Sequence, residues 1–167
     1  MPSVVNTQTQ SITGTLTGAY PDGVTAVNVP IAITAATATM DLATYSGKFI
    51  TLSRAAGQAI TLPAATGSGA EYEFFILTTI TSNSTTIKVA NSVDIMAGLA
   101  IQAADAGSTV NGWETGATDD TITFNGSTTG GIKGDKVRLK DVASGVWYVE
   151  IVGSATGTEA TPFSSTV

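Results

Sequence analysis

The chain has 167 residues, 43% hydrophobic and only 12% charged, with a formal net charge of −6. It has no Cys and no His, which excludes disulfides, thiolate chemistry, Cys/His metal sites and imidazole acid–base catalysis. The acidic balance gives it no electrostatic reason to approach nucleic acid or an anionic membrane, and no uncharged apolar run reaches the roughly 18 residues that span a bilayer.

Thr, at about one residue in six, together with Ala and Gly, favours pleated surfaces and tight turns over charged helices, so an all-β protein is expected. Met1 to Gln8 shows neither a basic n-region nor an apolar h-region, so no signal peptide is expected and synthesis is assigned to the cytoplasm. Residues 1–23 carry few large apolar side chains before the Tyr20-Pro21-Asp22-Gly23 turn signal and are read as an extended N-terminal arm; its apolar residues are Val4, Val5, Ile12, Leu16 and Tyr20. Residues 24–167 are read as one β-domain with a short C-terminal tail.

Within that domain, Val24 to Thr34 contains Pro30 and reads as an edge strand or lead-in, and Ala35 to Leu42 as irregular chain. Lys48–Leu52 and Ala59–Leu62, separated by Ala55-Ala56-Gly57-Gln58, read as a hairpin. Glu71 to Ile80 begins half-exposed and ends apolar, as a central strand does. Thr85–Ala90 and Val93–Ala97 are two further short strands. Leu99–Ala106 is ambiguous between strand and a turn of helix, and Gly107–Asp120 reads as a polar loop holding Trp113. Thr121–Phe124, Lys136–Lys140 and Val146–Val152 complete seven to nine strands, which predicts an antiparallel β-sandwich or jelly roll without internal repeats.

Paired carboxylates are the one common catalytic scheme the composition leaves open, with Glu71/Glu73 and Asp119/Asp120 as the candidate pairs. Two residues apart on a strand, Glu71 and Glu73 share a face, which is also the ordinary pattern of a solvated face; Asp119-Asp120 ends a loop and reads as turn chemistry. No D-x-D-x-D-G loop for calcium is present, and no cofactor is expected. Gly67-Ser68-Gly69 and Gly130-Gly131 lack the following helix and Lys of a phosphate cradle and read as turn glycines. Lys136, Arg138 and Lys140 alternate on one face of a strand, forming either a docking stripe for an acidic partner or a charged edge that blocks sheet-to-sheet aggregation.

The run Gly47-Lys48-Phe49-Ile50-Thr51-Leu52, then Ala59-Ile60-Thr61-Leu62-Pro63-Ala64-Ala65-Thr66-Gly67-Ser68-Gly69 and Glu71-Tyr72-Glu73-Phe74, resembles small structural proteins of tailed-phage virions. Gly130-Gly131, Gly134-Asp135-Lys136-Val137, Val146-Trp147-Tyr148-Val149 and Ala160-Thr161-Pro162-Phe163 look like later landmarks of the same group, so the resemblance spans about residues 40–163. It implies a non-enzymatic capsid decoration, or cement, protein on the outside of the phage head, with the major capsid protein as partner and a homotrimer as its assembly. The arm, outside the resemblance, is the expected grip on the capsid. The alternative is a tail-fibre or spike module that binds a host-surface glycan through Trp113 and the loop from Gly107 to Asp120, although neither a β-helical nor a coiled-coil shaft is visible in the sequence.

Overall fold

Strict alternation is clearest in Glu71–Ile76, where Tyr72, Phe74 and Ile76 are buried and the residues between them are half-exposed. The same pattern, repeated in short segments, builds two stacked sheets in a computed structural model that describes residues 29–105 and 107–167. The seven-stranded sheet holds β1 (Ile31–Ile33), β3 (Lys48–Leu52), β5 (Glu71–Ile76), β10 (Lys136–Ala143), β11 (Val146–Ala155), β7 (Ile95–Ala104) and β8 (Val110–Glu114), in that spatial order. The five-stranded sheet holds β12 (Phe163–Ser164), β9 (Thr121–Phe124), β6 (Thr85–Lys88), β4 (Ala59–Thr61) and β2 (Thr37–Thr39). The one helix among the described residues, α1 (Leu42–Tyr45), is capped by Asp41, whose side chain accepts from the Thr44 N–H at 2.7 Å.

The all-β sandwich expected from the sequence is therefore present, but its pairing is mixed rather than antiparallel. The first six strands alternate between the sheets, so that β1, β3 and β5 stack in parallel on one side and β2, β4 and β6 in parallel on the other. Each parallel return is made through a strand of the opposite sheet, which supplies the crossover that parallel neighbours require. Lys48–Leu52 and Ala59–Thr61 accordingly do not form a hairpin; the turn between them carries the chain across the sandwich. Three turns of a flattened coil result. Their lengths vary, with Ile31 stacking on Ile50 and Ile50 on Phe74, 19 and then 24 positions apart, and no repeat of fixed period marks them in the sequence.

Three further expectations are corrected. Ala35–Leu42 is not wholly irregular, since Thr37–Thr39 is the edge strand β2. The second short strand and the ambiguous segment after it are one ten-residue strand, β7, parallel to β11 over its whole length. Trp113 lies in β8, which pairs antiparallel with β7, and not in a loop. Twelve strands are thus present among the described residues, the excess over the expected number coming from β8 and from short pieces such as β2 and β12. The arm, with Val4, Val5, Ile12, Leu16 and Tyr20, lies outside the described residues.

Between the sheets, Ile50, Phe74, Leu139, Val149 and Ile151 of one face meet Ile60, Ile87, Ile122 and Phe124 of the other, all fully buried. Each such side chain contributes about 1.5–3 kcal/mol of burial free energy. Trp147 and Tyr72 pack with ring centroids 5.7 Å apart. Burial, reinforced by Asp41 and Asp141, pushes the Tyr72 hydroxyl up to about 12, so the phenol is neutral in the core.

Candidate functional site

The outward face of the seven-stranded sheet brings together five of the residues singled out in the sequence, Glu71, Glu73, Lys136, Arg138 and Lys140. In β10, Val137 and Leu139 point inward, leaving Lys136, Arg138 and Lys140 outward on a common line. The neighbouring β5 runs antiparallel, with Arg138 opposite Glu73 and Lys140 opposite Glu71, so the candidate carboxylate pair and the basic stripe face each other across one strand spacing. Lys136 Nζ lies 3.2 Å from Glu73, Arg138 Nε donates to Glu71 Oε1, and Lys140 Nζ lies 3.9 Å from the other Glu71 oxygen. On the other flank Arg138 is paired in register with Glu150. Three cations and three carboxylates thus form a ladder close to neutral.

This pairing governs what the groups can do. The Arg138 hydrogen bond, aided by the charges of Arg138 and Lys140 and opposed by partial burial, holds the Glu71 carboxyl below its usual range. A carboxylate held ionised by guanidinium and ammonium groups is a poor general acid. An open cleft of about 370 Å³ beside it is lined by Gly47, Lys48, Phe49, Glu71 and Glu73, and the Phe49 and Phe75 rings lie 5.7 Å apart nearby.

The second carboxylate pair is divided between two structural tasks. Asp119 accepts from the Gly116 N–H at 2.7 Å and closes a turn. Asp120 is buried and accepts from Thr121 Oγ1 at 2.7 Å and from the Thr166 and Val167 N–H groups at 2.8 and 3.3 Å, fastening the C-terminal residues to β9. Trp113 packs partly against the core, and on the outward face the exposed aromatic side chain is instead Tyr148.

Two acidic residues that the sequence marks only as turn residues, Asp141 and Asp135, organise the loops. Asp141 is buried at the end of β10, and the loop Thr66-Gly67-Ser68 closes around it. Its carboxylate accepts from the Thr66, Gly67 and Ser68 N–H groups at 3.1, 2.7 and 2.9 Å and from the Thr66 and Ser68 hydroxyls at 3.3 and 2.7 Å. Burial pushes this carboxyl up, but the donors outweigh it and hold the group below its usual range. The glycine-rich loop is thus an anion cradle whose anion belongs to the protein. A sequence signal existed: period two places Asp141 on the inward face with Val137 and Leu139, where a charge needs partners.

Asp135 forms a second knot, accepting from Gly131, Ile132 and Ser154 N–H groups at 2.8–3.0 Å. Here burial dominates and the carboxyl is raised despite those bonds. A Cβ on Gly153 would lie 2.6 Å from Asp135 Cγ, and one on Gly131 2.7 Å from Ile80 Cδ1 at a φ of +88°, so glycine is required at both positions by close approach.

Comparison with known proteins finds no family model and no curated protein that matches this chain.

Proposed function

We propose that this is a non-enzymatic structural protein of a phage virion, a decoration or cement protein that binds the outside of the head as a multimer and stabilises it. The observation that carries the reading is where the landmarks of the resemblance fall. Gly67-Ser68 clamps Asp141, Gly131 and Asp135 tie one knot, and Phe163 is buried on β9, so these residues fasten the loops of a β-body. The carboxylates a hydrolase would use are engaged in the same way, Glu71 and Glu73 by the basic stripe and Asp120 by the C-terminal residues. A rigid body that binds the assembled shell and not its dissociated subunits raises shell stability by its binding free energy, with no chemical step. In this reading residues 1–23 supply the grip, and the major capsid protein is the partner.

The test is co-sedimentation of the purified chain with undecorated heads, alongside the thermal disruption temperature of those heads. The full chain is expected to pellet with heads and raise that temperature, and a chain lacking residues 1–23 to remain folded in the supernatant. Failure of the full chain to bind heads, coupled with binding to host-surface glycan, would replace this reading with the tail-fibre or spike one.

A further inference from the structure

The seven-stranded sheet ends on one side at β1, three residues long and preceded by Pro30, which has no N–H to offer a neighbour. Its other end is β8, at five residues the longest edge strand among the described residues; β2 has three and β12 two. The ladder between β8 and β7 fixes which way the β8 backbone points. Thr115 N–H donates to Gly98 O at 3.1 Å and Ala104 N–H to Thr109 O at 2.9 Å, in register with Leu99 opposite Glu114 and Ala103 opposite Val110. Antiparallel pairs alternate, so Asn111 and Trp113 bond to β7 while the N–H and C=O groups of Val110, Gly112 and Glu114 point away from the sheet. Among the described residues β8 carries no Lys and no Pro and pairs with β7 without a bulge, so of the usual side-chain and backbone devices that blunt an edge it has only the charge of Glu114 at its end.

From this edge we infer that two copies of the chain pair through β8, antiparallel about a two-fold axis at Gly112. In that register Val110 lies opposite Glu114 of the second copy, Asn111 opposite Trp113, and Gly112 opposite Gly112. All three outward-pointing residues of each strand fall at hydrogen-bonded positions, which gives six backbone bonds across the axis. No like charges meet: the two Glu114 carboxylates sit at opposite ends of the ladder, about 14 Å apart at ~3.4 Å per residue, beyond the screening length of about 8–10 Å. Gly112 at the centre lets the strands approach without a side-chain clash, and Val110, 60% exposed in the single copy, gains the aliphatic stem of Glu114. Residues β7 presents beside it are inverted in polarity: Leu99 and Ile101 are exposed while Ala100 and Gln102 are buried. Pairing places both copies' Val152 and Ile101 in one register row across a joined fourteen-stranded sheet, with the two Gly112 at its centre. This pairing does not depend on the capsid reading, and it differs from the trimer that the resemblance implies.

Sedimentation equilibrium of the full chain measures it. Over about 5–200 μM the wild type is expected to reach twice its monomer mass. Gly112→Pro, which removes an N–H that β7 does not use, and Val110→Lys, which puts a charge on the edge, are each expected to weaken dimerisation at least tenfold while keeping the wild-type circular dichroism. If either variant misfolds, amide exchange of the wild type decides: protection at Val110, Gly112 and Glu114 is expected to rise with protein concentration. A wild type that stays monomeric, a trimer mass, or a dimer that survives both substitutions would overturn the pairing. So would a dimer lost on deleting residues 1–28 but kept in Gly112→Pro.

Discussion

Replacing Asp141 with Ala removes the acceptor from five donors at once and leaves the loop from Thr66 to Ser68 without its anchor. Hydrogen bonds to a charged group contribute about 1.5–3 kcal/mol each when isolated, but they are not additive. Thr66, Gly67 and Ser68 are exposed, so water takes over part of the lost bonding, whereas Asp141 itself is only 2% exposed and its departure leaves a void beside Trp147, its register partner. A loss of about 2–4 kcal/mol is expected from these terms. The pH dependence is specific. Because the native carboxyl sits below its unfolded value of about 3.9, its contribution is complete above that pH and is lost as the pH falls through the native pKa. Urea unfolding followed by tryptophan fluorescence, at pH 7 and in steps down to pH 2.5, measures both effects. The difference between wild type and Asp141→Ala should be largest at neutral pH and narrow below about pH 4. A difference under about 0.5 kcal/mol at pH 7, or one that does not change with pH, would refute the anion-cradle reasoning.

Ile60→Ala, at a fully buried position between the sheets, should cost about 2–5 kcal/mol, while Thr86→Ala on the outer face of the same sheet should stay within about 0.5 kcal/mol; comparable losses in urea melts would contradict the assigned orientation of the strands. Gly153→Ala drives a methyl group to 2.6 Å from Asp135 Cγ and should destabilise by about 1–3 kcal/mol, with a calorimetric Tm unchanged from wild type counting against the knot. Arg138→Gln removes the charged donor that holds Glu71 ionised, so the Glu71 side-chain carbon signal should titrate at higher pH than in the wild type; an unmoved midpoint would show that the pair does not persist in solution.

The strands that alternate cleanly were legible in the sequence. Glu71–Ile76 and Lys136–Lys140 show period two in their burial, Lys48–Leu52 is marked instead by its apolar residues between turn signals, and each of these is a local property. Partner choice was not legible, because Ala55-Ala56-Gly57-Gln58 makes a sharp reversal whether the chain returns to its own sheet or crosses to the other. Nor was β7, where the buried face carries Met96, Gly98, Ala100 and Gln102 and the outward face Leu99 and Ile101, so hydrophobicity points the wrong way along the strand. At the candidate site, the common face of Lys136, Arg138 and Lys140 followed from spacing alone. Their neutralisation by Glu71 and Glu73 did not, since it needs the pairing of strands 65 residues apart. Asp141 was readable as an inward charge, but its partners in the Thr66 loop come from across the fold.

On the proposed reading the chain acts on the outside of a phage head, and cryo-electron microscopy of the virion tests that most directly. The expected result is density for the two-sheet body on the outer surface of the shell, joined to the capsid subunits by the arm, residues 1–23. Density confined to the tail tip, or a purified particle without the chain, would contradict it.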